Sequence, residues 1–120
     1  MSKTDEVVDG ILQELRRGVT ILGVLSQLHK PEYGYSLVAV LAEGGLSVDA
    51  SSLYPLLRRL EAQGLLQSEW DTNEARPRKY YSLSPLGREA YARLCGEWEA
   101  IVSAMERFSP MKGEHESGSY

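Results

Sequence analysis

Arg76, Arg78 and Lys79 fall together in "RPRKYYSLSPLGRE" (residues 76–89), with Tyr80 and Tyr81 directly behind them. Cations beside aromatic rings in one short exposed stretch suit phosphate binding. Guanidinium and ammonium groups neutralise phosphate oxygens, and tyrosines pack with their rings while their hydroxyls hydrogen-bond to the same oxygens. A second set lies upstream in "SSLYPLLRRLEAQG" (51–64). There Ser51, Ser52 and Tyr54 carry groups suited to a base edge or a phosphate. Arg58, one helical turn beyond Tyr54 on the same face, can bind a phosphate or a guanine. Arg59 points to the flank. The bland alternatives are a solvated basic run on a loop, and arginines that pair with Glu61 or other surface acids.

The whole chain carries a net charge of −4, which argues against a phosphate-rich partner until the distribution is considered. Residues 49–83 balance five cations with five anions, whereas the flanking stretches each hold four cations against six anions. The basic clusters therefore lie in the least acidic third. Other chemistries lack their residues. With two histidines and one cysteine, no glycine-rich phosphate loop, no zinc spacing and no acidic pair in a cleft signature, neither an enzyme nor a cofactor or metal site is expected. His29 falls near a helix C-terminus, where an imidazole is electrostatically comfortable, and His115 has no partner at ligand spacing.

The elements that must position these groups are legible in the periodicity. Val7, Val8, Ile11, Leu12, Leu15, Val19, Leu22, Leu25 and Leu28 recur at spacings of three and four, predicting a long first helix weakened locally at Gly18 and Gly23. "HKPEYGY" ends it. A short second helix spans Tyr35 to Glu43, and a third, stopped by Gly64, carries Leu53, Leu56, Leu57 and Leu60 inward. Ser51 or Ser52 is the preferred cap because either keeps Pro55 near the first turn. Alternation from Leu65 to Trp70, turn residues in "DTNEARP" and the extended "KYYSL" predict a hairpin. Ser84 and Pro85 then open a fourth helix with a wide apolar stripe through Leu86, Ala90, Leu94, Trp98, Ile101, Met105 and Phe108, Tyr91, Cys95 and Val102 lying alongside.

Three helices, a hairpin and a further helix make a mainly α fold with a small β-hairpin: a winged helix-turn-helix with long N- and C-terminal helices. In that arrangement the third helix enters a DNA major groove and the hairpin is the wing. A winged helix used for protein binding is the alternative, disfavoured because the outer face of the third helix is polar. Residues 1–83 form the expected DNA-binding domain, with the first helix shared with a dimer interface. Residues 84–108 form a dimerisation helix, because so small a core cannot cover its apolar stripe, and 109–120 form a disordered tail.

The stretches "YGYSL" (33–37), "SSLYPLLRRLEAQGLLQSEW" (51–70) and "RPRKYYSLSPLGRE" (76–89) resemble the PadR family of transcriptional regulators, in its compact subclass with a single C-terminal helix. The resemblance implies a homodimeric repressor on a palindromic operator, relieved by a small, often aromatic effector. It carries DNA contacts onto Tyr35, Ser51, Ser52, Tyr54, Arg78 and Lys79. In some compact relatives a tryptophan on the last helix lines a pore at the dimer interface, and Trp98 lies at the matching distance from Gly87. Ligand stacking and plain interface packing both suit an indole there. Leu12, Leu15, Val19, Cys95 and Ile101 are the residues expected to line such a site with it. Cys95, on an apolar face with no adjacent cation, reads as a packing residue more than a redox sensor. No apolar run reaches membrane-spanning length, the N-terminus lacks the pattern of a signal peptide, and a single cysteine allows no internal disulfide, so a cytoplasmic location is expected.

Overall fold

The computed structural model describes residues 2–109. Its elements run α1 (Lys3–Ser26), β1 (Glu32–Tyr33), α2 (Gly34–Glu43), α3 (Ala50–Ala62), β2 (Leu66–Asp71), β3 (Arg78–Leu83) and α4 (Pro85–Phe108). The remainder of the expected tail, with His115, lies outside these residues.

A capping box opens α1: the Asp5 amide donates to Ser2 Oγ at 3.1 Å, and the Ser2 amide donates to the Asp5 carboxylate at 3.3 Å. The helix runs unbroken through Gly18 and Gly23. Their intrinsic cost, about 1 kcal/mol each, is outweighed by the packing of the helix's C-terminal half. There Val24 and Leu25, with Leu28 just past the helix end, meet Leu37, Leu41, Leu53, Leu57, Leu60, Leu66, Tyr81 and Leu83 in one buried cluster.

Two local expectations need correction. The N-cap of α3 is Asp49, not Ser51 or Ser52; the amides of Ser52 and Leu53 both donate to the Asp49 carbonyl at 2.9 Å, so the helix begins at Ala50. Pro55 therefore sits inside the helix. Its missing N–H leaves the carbonyl of Ser51 without its helical donor, and Ser51 is exposed to water that can replace it. The sheet also has three strands, in the order β1-β3-β2, rather than a bare hairpin. Within "HKPEYGY", Pro31 forces extended backbone, and Glu32 and Tyr33 pair antiparallel with Tyr81 and Tyr80. Two residues are too short a run to show alternation in sequence.

The β2–β3 register pairs Leu66 with Leu83, Ser68 with Tyr81 and Trp70 with Lys79. Leucines thus anchor the base of the wing to the core while polar and aromatic residues occupy its outer half. Ser84 caps α4, accepting from the Gly87 amide at 2.9 Å, and its own hydroxyl donates to the Gly64 carbonyl at 2.6 Å. A Cβ at Gly87 would stand 2.0 Å from the Leu65 carbonyl oxygen. Only glycine lets α4 leave the sheet this closely.

Lining residues of the grooves between α1 and α4 show that the two helices pack antiparallel. Leu22, Gly23 and Ser26 lie with Tyr91 and Cys95, and Leu15 and Gly18 with Trp98 and Ile101. Both continue past the core as an arm, giving overall extents of 61 × 37 × 22 Å. Along that arm Val7, Val8, Ile11, Leu15, Ile101, Met105 and Phe108 are exposed, Phe108 to 78%. No helix among the described residues is long and apolar enough to cross a membrane.

Candidate nucleic-acid interface

The outward end of α3 and the inner face of the wing converge on one open groove of about 550 Å³, lined by Tyr35, Tyr54, Trp70, Arg76, Arg78 and Lys79 among others. Sequence distance hides this meeting. α2 supplies Tyr35, α3 supplies Tyr54, β3 supplies Arg78 and Lys79, and the loop between β2 and β3 supplies Arg76.

Tyr54 is half-buried, and its ring lies against the α2 N-terminus, where a Cβ on Gly34 would come within 2.6 Å of it. The glycine gives the ring its seat. Ser51, Ser52 and Arg58 are exposed on α3, and Arg58 forms no ion pair among the described residues. Glu61 is not the partner of Arg58 or Arg59. It turns to the wing, where Lys79 Nζ stands 3.5 Å from it, and also accepts from the Ser68 hydroxyl.

Lys79 and Arg78 emerge on opposite sides of β3 and are held differently. Lys79 reaches back over the rings of Trp70 and Tyr81 at 5.8 and 5.4 Å, so the wing is tied to α3 through a cation shared between aromatic faces and Glu61. Arg78 lies 4.3 Å above the Tyr33 ring and donates to the Tyr35 hydroxyl at 2.7 Å, while Tyr33 and Tyr35 stack nearly parallel. Its other terminal nitrogen bonds Glu74 at the wing tip. Arg78 is thus preorganised between two tyrosines, with a carboxylate where a phosphate oxygen could stand. Arg76 is exposed beside it.

A hydrogen-bonded pair braces the same corner. The Tyr33 hydroxyl donates to Asp71 at the end of β2. That bond holds the Asp71 carboxyl below its ordinary range, helped by the Asn73 amide, and pushes the Tyr33 phenol above its ordinary value. At neutral pH both groups are in the bonded form. The Tyr80 phenol is likewise raised, mainly by its 3.0 Å bond to Glu69 across the strands. Tyr81, by contrast, is buried, leaving its ring to the core.

The expected effector residues divide. Leu15, Val19, Trp98 and Ile101 line an apolar groove of about 450 Å³ between α1 and α4, and Val19, Cys95 and Trp98 line a smaller one of about 240 Å³ beside it. Leu12 lines neither. Sequence reasoning did not mark Tyr33, Asp71 and Glu74 as parts of the wing. The acids in "DTNEARP" look like ordinary turn residues, and only the fold brings Tyr33 and Tyr35 to their side.

A third helix with a polar outer face, a wing carrying clustered cations and a three-stranded sheet define a winged helix-turn-helix protein. The transcriptional regulator PadR-like family matches residues 21–93, and the chain belongs to that family of transcriptional regulators. It is 38% identical over 80 residues to the transcriptional regulator Rv3488 of Mycobacterium tuberculosis, spanning 66% of this chain and 75% of that one. Its fold is similar to the PadR family transcriptional regulator from Eggerthella lenta DSM 2243 (TM-score 0.82, 41% identity, 91% of this chain and 97% of that chain). The Bacillus subtilis PadR in complex with operator DNA shares the fold at a TM-score of 0.57 and 22% identity, over 62% of this chain and 45% of that one. The family is one of regulators, not of enzymes.

Proposed function

We propose that this chain is a cytoplasmic, homodimeric transcriptional repressor that binds a palindromic DNA operator through α3 and the wing. Its binding is relieved by a small aromatic or hydrophobic effector seated between α1 and α4. The observation that carries the reading is the convergence of Tyr35, Tyr54, Arg76, Arg78 and Lys79 on one open groove beside the polar crest of α3. Phosphate contacts from the wing set register, and Ser51, Ser52, Tyr54 and Arg58 face the base edges and nearby backbone. The operator complex of Bacillus subtilis PadR supports a DNA partner for the shared fold.

The arm supports dimerisation, because a second copy would cover its exposed apolar side. In such a dimer residues 1–83 form the DNA-reading domain, with α1 also in the subunit interface, and 84–108 hold the subunits together. Two α3 helices about 34 Å apart meet successive major grooves.

The test is operator binding by variants, on sites first selected from fragmented genomic DNA at physiological salt. Tyr54→Ala, Arg78→Ala and Lys79→Ala should each weaken binding by about 1.5–3 kcal/mol, the range for hydrogen bonds to charged groups, while sedimentation still shows a dimer. Native-like affinity in all three refutes the surface, and failure to enrich any site favours a protein partner.

A further inference from the structure

The side of α3 facing away from the wing forms a second cleft, of about 680 Å³, against α1. Arg16, Arg17 and Thr20 of α1 line it with Ser52, Pro55 and Arg59 of α3. All three arginines are exposed, and none makes an ion pair among the described residues. Asp49 also lines the cleft, so three guanidiniums outnumber one carboxylate there. In a chain of net charge −4 with more acids than bases, this is a concentrated field of unpaired positive charge.

Its position relative to the groove already described decides what it fits. At 100° per residue, Ser52, Pro55, Leu56 and Arg59 form one side of α3, and Tyr54, Arg58 and Glu61 form a side about 145° away. Ser51 and Ala62 stand between them on the outward crest, both exposed. A helix lying in a major groove about 12 Å wide has a sugar-phosphate backbone along each of its flanks. We propose that Arg16, Arg17 and Arg59 form a second phosphate-binding flank, gripping the backbone across the major groove from the wing.

This rests on the reading that α3 enters the groove. It is compatible with a dimer, because the exposed stripe of Val7, Val8, Ile11 and Leu15 lies on the opposite side of α1 from Arg16 and Arg17. Covering the stripe leaves the arginines open.

The experiment compares the full chain with Arg16→Gln/Arg17→Gln/Arg59→Gln and with Arg78→Ala, on a selected operator duplex and on a scrambled duplex, over a range of salt. The dependence of log affinity on log salt should flatten by about 0.9 for each phosphate contact the triple variant loses. Affinity should fall by the same factor on both duplexes, because phosphate contacts carry no sequence information. Phosphate-ethylation interference should vanish on one strand at each half-site and persist where the wing binds. If the triple variant folds poorly by circular dichroism, the three single variants make the same comparison. Wild-type slope and affinity in the arginine variants, with Arg78→Ala weakened, overturn the proposal alone. So does a loss explained by dissociation of the dimer in sedimentation. Absence of sequence-selective binding by the unaltered chain overturns the parent reading and this one with it.

Discussion

Arg78 shows how one side chain can be built for a contact and restrained from it at once. The guanidinium is oriented by the Tyr33 ring and the Tyr35 hydroxyl, and its second terminal nitrogen donates to Glu74. Glu74 is exposed, so the pair itself adds little to stability. It competes directly with a phosphate for the same donors. Glu74→Gln should therefore raise operator affinity, up to about fivefold for a pair of that strength, with the fold unchanged. Equal or weaker binding in a fluorescence-anisotropy titration would remove Glu74 from this role. The cations were legible in sequence because their types cluster. Their restraint was not, because Tyr33 and Tyr35 lie more than forty residues upstream and reach the wing only through β1 and α2.

Among the elements, the joint between sheet and α4 fixes where the arm leaves the base of the wing. Ser84 links the cap of α4 to Gly64, and Gly87 lets the first turn lie against the Leu65 backbone. Because backbone cannot yield as a flexible side chain does, Gly87→Ala should cost about 1–3 kcal/mol or more in urea unfolding, the range for overpacked sites. Unchanged stability would show that α4 can shift freely on the sheet. The cap and the proline at the first helical position were readable in "SPLGRE". The start of α3 was misplaced because three candidate caps, Asp49, Ser51 and Ser52, stand within four residues and Pro55 pulls the choice late. The Asp49 carbonyl, bonded to two amides, decides it.

At the scale of the whole molecule, the arm of α1 and α4 leaves more apolar surface outside than a chain of this size can bury alone. A charge placed there should break the proposed assembly: Ile101→Glu is expected to sediment as a monomer and to bind the operator at least tenfold more weakly, since two linked half-sites become independent. A dimer that survives would place the interface elsewhere. Trp98 is 40% exposed where the two apolar grooves adjoin, so a planar aromatic effector should quench its fluorescence and weaken DNA binding. Linkage then requires DNA to weaken the effector equally. Quenching left intact in Trp98→Phe would point to Trp70, which is 62% exposed on the wing.

Periodicity, capping residues and clustered cations determined the winged-helix class, four helices and most of the residues now proposed at the interface. These are local properties, written in spacings of two to four residues and in the chemistry of single side chains. Tertiary structure decided the third strand, the seat of Tyr54 on Gly34, the bracing of Arg78 and the arginine cleft beside α3. Each of those joins residues distant in sequence, and only chain folding and core packing set the distances between them.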